Sequence, residues 1–90
     1  MNYDLAKHHL ERAHSILIES GEELDLRELG AFPAAIARKD WRGALGILEE
    51  CGASTDCDAQ FWREMLLVAR ELGLPRYTAR FEKWVRLEIK

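Results

Sequence analysis

The sequence predicts an all-α fold, a small bundle of four to five helices arranged as helical hairpins in a single domain over residues 1–90. Three observations lead there. Apolar residues recur at spacings of three and four along most of the chain. Six Gly and two Pro are too few for a turn-rich all-β protein. A folded chain of this size exposes roughly 5,400 Å² and buries about 64% of what its unfolded form would expose, enough for one modest core without staples.

The first helix is expected over residues 3–20, with Asn2 as N-cap and Gly21 as the stop. Ala6, Leu10, Ala13 and Leu17 fall on one face, which Ile16 widens and Tyr3 extends, leaving His8, Glu11, Arg12 and Ser15 towards solvent. Residues 22–33 read as a loop with one helical turn starting near Asp25, because Gly30 and Pro33 interrupt the pattern of Leu24, Leu26 and Leu29. Pro33 suits the first position of a brief helix reaching Arg38. Asp40 caps the next helix, Trp41 to about Cys51, which Gly52 closes. Trp41, Leu45 and Leu48 line its core face, and Ala44 allows a neighbour to approach.

Thr55-Asp56-Cys57-Asp58 matches a capping box, a hydroxyl followed three residues later by an acid. The helix that follows, to Leu72, carries two apolar rows: Phe61, Met65, Val68 and Leu72, then Trp62, Leu66 and Ala69. Two rows predict contact from two sides, so this helix is expected to be central. Gly73-Leu74-Pro75 ends it. The last helix begins at Pro75 or Arg76, with Tyr77, Phe81, Trp84 and Val85 as its core stripe. No strict 34-residue period marks a repeat array.

The formal charge is −3, but it is unevenly spread. Residues 19–28 sum to −4, residues 49–58 to another −4, and residues 63–90 to +3. An acidic domain of this kind is a poor nucleic-acid binder, since neutralising phosphates needs clustered Lys and Arg. It suits a basic protein partner instead. The candidate partner-binding residues are therefore Glu22, Glu23, Asp25 and Glu28 before the short helix, and Glu49, Glu50, Asp56 and Asp58 after the next. An antiparallel turn near Asp40 would return these eight carboxylates to one side of the molecule.

Nothing in the chain predicts catalysis. There is no nucleophile motif, phosphate-cradling glycine loop or HExxH pair. His8 and His9 point about 100° apart on a helix and His14 lies on another face, so the three read as surface residues. Cys51 and Cys57 cannot complete a zinc site without two more ligands, and are expected reduced and semi-buried. Trp41, Trp62 and Trp84 each fall on or beside an apolar stripe, so packing accounts for them first. No apolar run is long enough to span a membrane, and the residues after Met1 lack the layout of an export signal. The expectation is a non-enzymatic, cytoplasmic protein without cofactor or metal.

Residues Ala37 to Glu49, a charged turn followed by Trp-x-x-Ala-Leu-x-x-Leu, resemble the central hairpin of MafI-type immunity proteins of bacterial polymorphic toxin systems. The similarity continues through Phe61-Trp62 and Ala69-Arg70-Glu71-Leu72-Gly73-Leu74, so it covers roughly residues 34–76. It implies a cytoplasmic antidote that binds and occludes a secreted toxin's effector domain, often a nuclease. An acidic antidote can mimic the phosphates for which such a toxin's basic site is built. Asp-aromatic-x-x-Ala-Leu also opens helices in tetratricopeptide-like hairpins. The alternative is accordingly an adaptor or chaperone module that holds a partner peptide or helix.

Overall fold

The computed structural model describes residues 2–88. Six helices follow one another: α1 (Tyr3–Ser20), α2 (Leu26–Leu29), α3 (Phe32–Ala37), α4 (Trp41–Ala53), α5 (Ala59–Glu71) and α6 (Pro75–Glu88). No strand occurs among the described residues, and the expected all-α bundle is the fold. Its accessible surface of 5568 Å² agrees with the scaling for a chain of this size. No described helix is long and apolar enough to cross a membrane.

The core forms where the stripes read from the sequence meet. Ala6, Leu10, Ala13 and Leu17 of α1 are fully buried, and α1 lies chiefly along α5. The expected centrality of α5 holds: it packs on α1, α4 and α6, and its Phe61, Met65, Val68 and Ala69 are fully buried. Trp62 organises the seam with α6. Its indole stacks on Trp84 with centroids 4.5 Å apart and planes 3° from parallel, while Phe81 lies 5.8 Å away. The short helices α2 and α3 pack against α4, and the ring of Phe32 in α3 stacks on His14 of α1 at 4.6 Å.

Several local readings are corrected. Gly52 does not end α4, which continues to Ala53. It serves packing instead, since a Cβ there would lie 2.4 Å from the Phe61 ring. The capping box at Thr55 does not form. Asp58 is the N-cap of α5 and accepts the Gln60 N–H at 2.8 Å, whereas Thr55 turns back to Glu22. Pro33 takes the second helical position of α3, behind Phe32, and Arg38 is its C-cap. Tyr3 extends the α1 stripe only in part. It is half exposed and lies over Trp41, itself only half buried.

α3 and α5 end in the same way. In α3 the N–H of Lys39 donates to Ile36 and that of Asp40 to Ala35; in α5 Gly73 donates to Arg70 and Leu74 to Ala69. This is the double bond of a Schellman motif, which needs a left-handed residue after the cap. Gly73 supplies φ +66° and Lys39 supplies φ +60°. The glycine does so freely. The lysine does so against its own Cβ.

Candidate partner-binding site

Ser20, at the end of α1, anchors the first acidic segment. Its hydroxyl donates to the Ile16 carbonyl at 2.7 Å and accepts the Asp58 N–H at 3.0 Å. Two residues on, Thr55 accepts the Glu22 N–H at 2.8 Å and donates to the Glu22 carbonyl. The loops 21–25 and 54–58 are thereby tied side by side, although more than 30 residues separate them in sequence. Asp25 then caps α2, its carboxylate accepting the N–H groups of Arg27 and Glu28 at 3.1 Å each. That turn delivers Glu28 to Glu50 on α4.

Glu28 and Glu50 are neighbouring carboxylates on the packed helices α2 and α4. The Glu28 carboxyl is raised above its ordinary range, first because its protonated form can share the proton with Glu50. Desolvation and the charges of Glu50 and Asp25 push the same way. The field of these acids extends inward. The buried Cys51 thiol is pushed up to about 11 by desolvation and then by Glu28, Asp25 and Glu50. A thiol held protonated in this way is a poor nucleophile and a poor metal ligand.

Of the eight candidate residues, Glu22, Glu23, Asp25, Glu28, Glu50, Asp56 and Asp58 lie along these two joined segments. None of the seven is ion-paired among the described residues. Glu49 is elsewhere. It is half buried on the side of α4 facing α6, where Arg80 holds it with two bonds of 2.7 Å. The guanidinium also covers the Tyr77 ring at 4.5 Å. Glu49 therefore fastens α6 to α4, and its charge is spent within the fold. Glu23 sits in a left-handed conformation, φ +52°, shared among described non-glycine residues only with Lys39.

A second polar cluster escaped the sequence reading. Glu64 of α5 is buried, its carboxylate taken by His9 Nδ1 at 2.8 Å and by Arg12 Nε of α1. His9 is thus no simple surface residue, and Arg12 bonds inward from a half-exposed position. A signal was present: Glu64 stands three residues after Phe61 and four before Val68, on the apolar arc of its helix. Its partners were not legible, because they lie more than 50 residues away. Among the described residues no group of three or more His, Cys, Asp or Glu could hold a metal ion.

Comparison of the chain with protein-family models, with curated proteins and with solved structures found no match.

Proposed function

We propose that this chain is an immunity-type inhibitor, a non-enzymatic protein that occludes a basic toxin domain with the acidic face built from residues 22–28 and 50–58. The observation that carries the reading is a group of seven carboxylates without an ion pair among the described residues, of which only Asp25 and Asp58 also cap helices, with Glu28 beside Glu50. A fold gains nothing from that repulsion, whereas a cationic partner would relieve it. Costs of this kind mark surfaces kept for something other than folding. The MafI resemblance of residues 34–76 supplies the partner class and the cytoplasm as the meeting place. The face offers carboxylates where a nuclease would meet phosphates, so neither nucleic acid nor cofactor is needed on this side.

The test is protection. Cells expressing a cognate toxin domain should survive when this chain is co-expressed. They should die when it carries Glu22→Lys, Glu23→Lys and Glu50→Lys, provided circular dichroism shows the variant folded. Binding of the purified pair should slow with added salt and slow further in the variant. An association rate indifferent to both would sink the acidic-face reading. A tetratricopeptide-like adaptor is the second reading. It is favoured by an open depression of about 590 Å³ along α5 and α6, lined by Leu74, Pro75 and Ala79 with Arg70, Lys83 and Arg86 at its edge. Such a partner would bind away from the acidic face and be indifferent to Glu22→Lys, Glu23→Lys and Glu50→Lys.

A further inference from the structure

The end of the molecule remote from the acidic face has the opposite character. α4 runs from Trp41 at this end to Ala53 beside the acidic loops, and 13 helical residues span about 20 Å. Two depressions of about 460 and 280 Å³ are lined by Trp41, and a third of about 340 Å³ lies beside the second. Tyr3, Lys39 and Trp41 line both the first and the second, while Arg42 and Leu74 line both the second and the third. Sharing these residues, they follow one another as a shallow, broken groove from the start of α1, across the α3–α4 turn, to the start of α6. We propose that this groove is a second docking site, for an acidic peptide segment of a partner protein that carries apolar side chains between its acids.

The floor and the rim each indicate part of that chemistry. Tyr3 and Trp41 stack with centroids 6.3 Å apart and planes 19° from parallel, and Tyr3 is 51% exposed. Aromatic surface left open at a groove favours an apolar side chain. Lys7, Lys39, Arg42 and Arg76 line the groove, all exposed and none ion-paired among the described residues. Two carboxylates accompany them, and that of Asp40 is already engaged in capping the Gly43 N–H at 2.9 Å. Four cations without an ion pair among the described residues, against two carboxylates, favour a carboxylate-rich occupant over a cationic one. Lys39 adds a separate indication. It stands where Gly73 stands in the matching motif, and it holds the left-handed backbone at a cost glycine would avoid.

A peptide fits better than a nucleic acid. Asp4 within the groove can accept a peptide N–H, a donor that a phosphate backbone does not offer. The molecule measures 33 × 27 × 18 Å, so a longer polyanion would soon meet the acidic face. A second copy of this chain fits less well. Its Glu22 backbone is already bonded to Thr55, so its acidic loop cannot enter the groove as an extended strand.

The experiment uses a fluorescein-labelled short peptide repeating Glu-Glu-Leu, with Lys-Lys-Leu and Glu-Glu-Ser repeats and oligothymidylate as comparisons. The Glu-Glu-Leu peptide should shift the Trp41 indole and the amides of residues 38–42 in NMR spectra, and bind more tightly than the other three. Lys39→Glu with Arg42→Glu should weaken it about tenfold. Lys39→Gly should weaken it about threefold while raising the unfolding midpoint, which separates lost binding from lost folding. Absence of shifts at Trp41, equal binding of oligothymidylate, or self-association abolished by Lys39→Glu would each overturn the proposal.

Discussion

Lys39 and Gly73 complete the same hydrogen-bond pattern with side chains that pay differently for it. Lys39→Gly should therefore stabilise the domain by about 1 kcal/mol, read as a higher denaturant midpoint with an unchanged slope. His14 makes the opposite point about side chains. Burial, over a smaller opposing effect of Glu11, lowers its pKa below 6.5, so the proton binds more readily to the unfolded chain. The stability this neutral ring secures is present above about pH 6.5 and is lost as pH falls from there through the folded value. His14→Leu should flatten that part of the profile, as checked by urea unfolding at about pH 8 and pH 5. Single residues were the least legible scale. Spacing puts Arg12 on the polar side of α1 and His9 reads as a surface residue, and only the fold brings Glu64 across to them.

At the scale of elements the sequence was far more informative, because the apolar rows of α1, α4 and α5 are long enough for their period to be counted. The departures fall where a local signal competed with a distant one. Thr55 reads as an N-cap until Glu22, 33 residues away, offers both a donor and an acceptor. Gly52 reads as a terminator until the Phe61 ring needs its missing Cβ. The central role of α5 has a measurable consequence. Met65 is fully buried, and Met65→Ala should cost about 2–5 kcal/mol in denaturant unfolding. A change of a few tenths would place α5 at the edge of the core, contrary to its contacts.

At the scale of the whole molecule, charge is sorted along the length of α4. The acidic count was legible as two runs in the sequence; their union was only an expectation, because it rests on Ser20, Thr55 and the α3–α4 turn. Glu49 shows the limit of counting. Adjacent to Glu50 in the chain, it faces α6 and is neutralised there. The basic tally of residues 63–90 was similarly coarse, since it includes Lys90, which lies outside the described residues. The cations that matter for the groove come mostly from elsewhere, from Lys7, Lys39 and Arg42.

The docking of α6 carries one more consequence. This helix rests mainly on α5, with the Glu49–Arg80 pair as a clasp to α4, and only Phe81 among its described side chains is fully buried. A helix held mainly on one side can open without dissolving the α1–α4–α5 core. Amide hydrogen exchange should therefore divide the molecule into two cooperative units, with α6 exchanging at a lower free energy than α5. Glu49→Gln should speed exchange in α6 alone, by loosening the clasp. In its open form the indole of Trp62 would lose the cover of Trp84 and Phe81, and an aromatic surface hidden in the closed form would meet solvent.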